Sequence, residues 1–215
     1  MRPFTPRMLP ILTALLVVAA ASLSASTVSQ FNLAEMSQRA QRIYVGTVRS
    51  ATEGTIAVGG GQLAVVTYQL SVSEDLRGET ALVKGEKVAE IRMLGKQKTV
   101  RIGTVRSVSP LPAMPVLAVG QTYLVFTTQP SSIGLSTTVG LGQGAFRLYG
   151  KGDSQMAVNE VNNSGLFRDM QPAAAAAAGA ALRGAAPQAA QPQAAGPMRF
   201  ADLRAQIVNL VGAGR

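Results

Sequence analysis

From Val66 to Ser73 apolar and polar residues alternate: Val66, Tyr68, Leu70 and Val72 fall on one parity, Thr67, Gln69, Ser71 and Ser73 on the other. Successive side chains of a strand point to opposite faces, so a period of two predicts a half-buried strand over Val65–Gly78. Its end, Glu74-Asp75-Leu76-Arg77-Gly78, reads as a charged turn. Neighbouring segments supply partners. Ile43-Tyr44-Val45-Gly46-Thr47-Val48 is rich in β-branched residues, and Gly46 inside it predicts a bulge or a close backbone approach. Gly59-Gly60-Gly61 is followed by a strand pattern; a phosphate-cradling glycine loop needs a helix there, so these glycines predict a hairpin connection. Lys87 to Leu94 alternates again, with Ala89, Ile91 and Met93 on one side. A turn at Lys96-Gln97-Lys98 and a strand over Thr99–Val108 follow, and Arg92, Arg101 and Arg106 read as edge-blocking charges. Thr122 to Thr127 is apolar on both faces, which predicts a central strand, with a turn at Gln129–Ser132. Met156 and Val158 mark a last short strand before a turn at Asn162-Asn163-Ser164-Gly165.

Two segments carry a helical pattern. Asn32-Leu33-Ala34-Glu35 has the form of a capping box, in which the Asn32 side chain accepts a backbone N–H and Glu35 returns the bond. It predicts a short helix to about Gln41, with Leu33, Met36 and Ala40 on one face. Near the other end, Phe200, Leu203, Ile207, Leu210 and Val211 share one helical face, Asp202 lies near the N-terminus, and Gly212 is a stop. Between the two, Pro110, Pro112 and Pro115 impose an extended loop. The glycines of Val139–Leu148 are mis-spaced for a dinucleotide loop and lead into a strand, so they read as bends at a sheet corner. Gln171–Pro197 is almost entirely Ala, Pro, Gln and Gly, lacks the large apolar residues that would offset the entropy of ordering it, and reads as a disordered linker.

Residues 1–26 have the three parts of a secretory signal: Arg2 and Arg7, an apolar run from Ile11 to Ala21, and small residues to Ser26. The apolar run is shorter than the roughly 20 residues of a spanning helix. The expected organisation is therefore a signal peptide over 1–26, a β domain over 27–170, a linker over 171–197 and an amphipathic helix over 198–215. The chain has no Cys, His or Trp, and a formal charge of +9. That removes disulfides, thiolate chemistry and the commonest transition-metal ligands and general base. No cofactor and no metal are expected. The positive charge forms no long basic run, so nucleic acid is not the expected partner. Glu74 with Asp75 would face opposite sides of a strand, and neither Glu86 with Glu90 nor Asp153 with Glu160 carries a supporting motif. No catalytic residue is assigned.

The order of a helix, Ile-Tyr-Val-Gly-Thr-Val, then Thr-Tyr-Gln-Leu-Ser-Val-Ser-Glu-Asp-Leu-Arg-Gly, then Leu-Ala-Val-Gly-Gln-Thr-Tyr-Leu-Val-Phe, resembles the netrin-like domains related to tissue inhibitors of metalloproteinases. It is also similar to exported bacterial proteins of unknown function that share this layout and a later Gly-Leu-Gly-Gln-Gly-Ala-Phe. The resemblance spans about Leu33 to Leu148 and implies a mainly β fold, a small OB-like antiparallel barrel. In the inhibitors an N-terminal cysteine chelates the target's zinc; this chain has no cysteine, and no residue inherits that role.

The expected function is a non-catalytic binding module, periplasmic or secreted, whose partner is a protein of the envelope or secreted fraction. Membrane contact is expected only through the signal peptide before cleavage. The alternative is an inhibitor or chaperone of an extracytoplasmic protease, acting through loops such as Gly54–Gly61 or Ser109–Pro115. The candidate docking residues are Phe200, Leu203, Ile207, Leu210 and Val211, which face either their own sheet or a partner. Cleavage after Ala21 and after Ala25 both fit the small-residue pattern. N-terminal sequencing of exported protein is expected to start at Ser22 or Ser26; an intact Met1 would reject the cleaved signal.

Overall fold

A computed structural model describes residues 29–95, 114–170 and 195–212. The signal segment, the Lys96–Lys98 turn, the Thr99–Val108 strand, Pro110, Pro112 and most of the linker lie outside the described residues. The rest forms a mainly β structure, one eight-stranded antiparallel sheet with two helices. The strands are β1 (Arg42–Val58), β2 (Gly61–Arg77), β3 (Leu82–Val83), β4 (Glu86–Leu94), β5 (Thr122–Thr127), β6 (Ala145–Tyr149), β7 (Met156–Val158) and β8 (Met198–Arg199). Their order across the sheet is β3-β4-β2-β1-β5-β6-β7-β8. Helix α1 is Leu33–Arg39 and helix α2 is Phe200–Gly212.

Strands β1 and β2 form the long hairpin at the centre. Val58 pairs with Gly61 across Gly59 and Gly60, both at positive φ, the left-handed turn geometry that matches strand twist in a two-residue hairpin. Val66, Tyr68, Leu70 and Val72 are buried as the alternation predicts. The register shifts three times, between Ile43 and Tyr44, Val45 and Gly46, and Val48 and Ser50. Each bulge bends and twists the ribbon. Gly46 is both a bulge site and a close approach: a Cβ there would lie 3.1 Å from the Ser71 carbonyl oxygen.

Several local expectations shift. The supposed charged turn at Glu74–Arg77 is the end of β2, paired with Val45, Tyr44 and Ile43. The supposed loop at Gly54–Gly61 is strand as far as Val58, because cross-strand pairing continues to the glycine turn. The glycines after Val139 bend no strand; Leu141–Gly144 is a 3-10 turn, and β6 starts only at Ala145. A Cβ on Gly144 would lie 2.3 Å from the Val139 carbonyl oxygen, so the tight turn requires glycine there. The turn expected at Gln129–Ser132 falls slightly later, with the Gly134 amide bonding to the Ser131 carbonyl at 2.9 Å.

Strand β5 and the first residues of β1 are buried on both faces, whereas β2 is buried on one. On one face Tyr44, Tyr68, Leu70, Ile91, Tyr123 and Val125 belong to one core cluster. On the other, Ile43, Val45, Leu124, Phe126, Phe146 and Leu148 meet Leu33 and Met36 of α1 and Leu203 and Ile207 of α2. The strand ladder is not closed among the described residues. One extended segment does reach from the end of β5 to β4: Thr127 bridges Thr138, and the Ser136 amide donates to the Arg92 carbonyl at 2.9 Å.

Helix α1 starts at the predicted capping box, with Asn32 Oδ1 and Glu35 Oε2 each accepting a backbone N–H at 2.9 Å. Its position is pinned from outside by the Leu33 amide to the Leu166 carbonyl at 2.8 Å and by Asn32 Nδ2 to the Arg168 carbonyl at 2.9 Å. The Asn162–Gly165 turn forms as expected, and its Asn163 donates to the Ala157 carbonyl at 3.0 Å and the Gly196 carbonyl at 2.8 Å. That second bond fixes the chain just before β8. Leu203→Ala is expected to cost about 2–5 kcal/mol in urea unfolding. Val208→Ala, on the exposed side of the same helix, is expected to change stability by less than about 0.5 kcal/mol.

Candidate functional site

The C-terminal helix lies on its own sheet. Leu203 and Ile207 are 0% exposed within the core, while Phe200, Leu210 and Val211 are partly buried against it. The five residues predicted as one docking face therefore divide, and only the last two reach a concave surface. Ion pairing fixes the helix at its middle, where Arg204 Nε donates to Glu74 Oε1 on β2 at 2.8 Å.

A cleft of about 440 Å³ opens where α1, the C-terminal end of α2 and the end of β2 meet. Its polar wall comes from Ser37, Gln38 and Gln41 on and just after α1, and from Arg77 at the end of β2; Leu210 and Val211 supply an apolar wall. The local folding explains this placement. Leu33, Met36 and Ala40 turn toward the sheet, which leaves the flank carrying Gln38 free for solvent. Arg77 Nη1 donates to the Ser37 carbonyl oxygen and so ties the strand end to the helix. Ser37 itself is 3% exposed, and its hydroxyl has no hydrogen-bond partner among the described residues.

Next to the cleft, on the opposite face of β2 from Glu74, Asp75 gathers a polar cluster. Lys87 Nζ donates to Asp75 Oδ2 at 2.8 Å, Thr80 Oγ1 donates to Asp75 Oδ1, and Arg42 lies 4.0 Å from that same oxygen. The sequence argument that Glu74 and Asp75 cannot act as one carboxylate pair holds, since one serves α2 and the other serves β4. Burial alone would raise the Asp75 pKa, but the bonds from Lys87 and Thr80 and the Lys87 charge outweigh it and hold the carboxyl below its ordinary value. The Arg42 guanidinium stands 5.0 Å from the centre of the Tyr44 ring, and burial pushes that phenol well above its usual range.

The other acidic candidates are spread apart. Glu86 pairs with Arg49 and Glu90 with Arg92, both at the surface. A second concavity of about 270 Å³ lies beside Leu117, Tyr123, Arg147 and Asn159. Two of its polar groups are engaged: the Tyr123 hydroxyl accepts the Ala118 amide at 3.1 Å, and the Asn159 side chain bonds to Gln143 and Asn163. Among the described residues no group of three or more His, Cys, Asp or Glu is placed to hold a metal, and no helix is long and apolar enough to cross a membrane.

Sequence reasoning placed Leu210 and Val211 in a docking role but missed Ser37, Gln38, Gln41 and Arg77. Ser37 and Gln38 sit in a helix whose sequence signal is its apolar face, Gln41 lies just after it, and Arg77 belongs to the segment that reads as a charged turn. Comparison with protein-family models, curated proteins and solved structures finds no match to this chain.

The Asp75 cluster gives a pH test. A folded-state pKa below the unfolded value contributes stability above about pH 4 that is lost as pH falls through the folded value. Asp75→Asn is expected to lower the urea midpoint at pH 7. The gap to the wild type should narrow steadily between about pH 4 and pH 2; a gap independent of pH would show that Asp75 stabilises by shape alone.

Proposed function

We propose that this chain is a non-catalytic, exported binding module, periplasmic or secreted, built on an OB-like or netrin-like barrel and recognising a protein partner. The observation that carries this reading is the cleft between the two helices, which joins a cation, neutral hydrogen-bonding groups and an apolar wall in one concavity. The signal-like head of the sequence supports export. Three bulges in the β1–β2 hairpin and the Ser136–Thr138 link between β5 and β4 support the barrel, because closure requires bent strands and this link connects two strands that are not neighbours in the ladder. Recognition is the chemistry this arrangement supports: Glu74, Asp75, Glu86 and Glu90 are engaged by separate cations at separate places.

A second reading, inhibition or chaperoning of an extracytoplasmic protease, draws support from the β1–β2 hairpin. Its glycine turn is exposed, and Val58 and Leu63 beside it are 37% and 39% exposed. A protruding tip of this kind suits insertion into another protein's groove.

The two readings separate in one experiment. A photoreactive residue is placed at Gln38 on the cleft rim, at the exposed Gln62 beside the hairpin turn, or at Val208 as a control, and the full chain is exposed to the envelope fraction. The binding-module reading expects a specific protein adduct from Gln38. Protease adducts from Gln62 alone would favour the second reading, and adducts that do not differ from those of Val208 would reject both.

A further inference from the structure

We infer that the cleft between α1, α2 and the end of β2 binds the free carboxylate end of a peptide whose last residues are aliphatic. This rests on the binding-module reading and names the chemistry of what is bound. Arg42, Arg49, Arg92, Arg168 and Arg204 each face a carboxylate. Arg77 faces none among the described residues: its one hydrogen bond there is from Nη1 to the Ser37 carbonyl. That bond orients the guanidinium and leaves its other donors available. Among the described residues, no acidic one lines the cleft. Glu74, three residues earlier, is engaged with Arg204, and Glu79, two residues later, is exposed. A half-buried cation with no counter-ion among the described residues, in a concave wall where those residues bring no acid, is a site for an anion.

The rest of the wall narrows the choice. One guanidinium with the side-chain amides of Gln38 and Gln41 matches a single negative charge with planar oxygens, whereas phosphate recognition usually draws on clustered arginines. Ser37, whose buried hydroxyl has no partner among the described residues, belongs to the same wall. Leu210 and Val211 form the opposite side and offer contact to an aliphatic side chain next to the carboxylate. The volume of about 440 Å³ lies in the range of compact ligand pockets, roughly 300–1,000 Å³, and suits a chain end better than a docked helix.

The test titrates the full chain with acetyl-Ala-Leu-Val bearing a free carboxylate, and with the same peptide as its amide, by calorimetry and by amide shifts at Ser37, Gln38, Arg77 and Val211. The acid is expected to bind saturably. The amide should bind about tenfold or more weakly, since a charge-assisted hydrogen bond is lost. Arg77→Gln should weaken the acid by a similar factor. Gln38→Glu, an exposed substitution that brings a like charge to the rim, should also weaken it, and it decides the matter if Arg77→Gln fails to fold. Arg49→Gln should leave binding unchanged. No saturable binding at low millimolar acid, equal affinity for acid and amide, or wild-type affinity in Gln38→Glu would each overturn the assignment. A partner cross-linked equally by the wild type and Gln38→Glu would leave the binding-module reading standing and remove only this ligand.

Discussion

Strand β5 and the start of β1 carry large apolar side chains on both faces, and the covering of the sheet answers to that. Tyr123 and Val125 of β5 point one way, Leu124 and Phe126 the other, and all four are buried. A sheet with one wet face would leave half of these residues in water. At about 25 cal/mol per Å² of exposed apolar surface, several such side chains would consume much of a small domain's stability. On one face the side chains of β1, β2, β4, β5 and β6 pack together with Leu117 in a single cluster. The other is covered by helices, and the chain draws those helices from segments far apart in sequence.

This arrangement makes the cleft. α1 arrives just before β1 and α2 long after β7, so the two helices are brought side by side by the shared core, without a connecting loop between them. Leu33 and Met36 from one meet Leu203 and Ile207 from the other. The helices cover the sheet but leave a gap at its corner, where β2 ends. Arg77 fills the base of that gap, held by the Ser37 carbonyl. A binding concavity is thus a by-product of covering the second face with two separate helices. Its polarity follows from the flank of α1 that does not touch the core.

The polar contacts around β2 play two roles. Glu74 and Asp75 are neighbours in sequence but serve opposite faces. Arg204 and Glu74 orient α2, and as a surface pair they contribute at most about 1 kcal/mol, far less than the burial of Leu203 and Ile207. Asp75 is more enclosed, with bonds from Lys87 and Thr80, and it locks the β2 end to the start of β4.

The chain's own pattern determined most of the local structure. Alternation at Val66–Val72 and Ala89–Met93, the Asn32–Glu35 capping box, the Gly59-Gly60 turn and the two-faced Thr122–Thr127 strand are each set by neighbours within a few residues, and each forms as read. Where a segment's fate depends on distant partners, the reading stopped short. Glu74–Arg77 resembles a turn by composition, yet β1 pairs with it and keeps it extended. Phe200–Val211 is legible as an amphipathic helix, but an apolar face carries no mark of what covers it. Only the tertiary structure puts Leu203 and Ile207 into the core and leaves Leu210 and Val211 at the cleft. The same holds for Ser37, Gln38, Gln41 and Arg77: the glutamines and the arginine look like ordinary solubilising residues until two helices and a strand end converge on them. A binding concavity made by the meeting of separate elements has no local signature, because its chemistry resides in the distances between them.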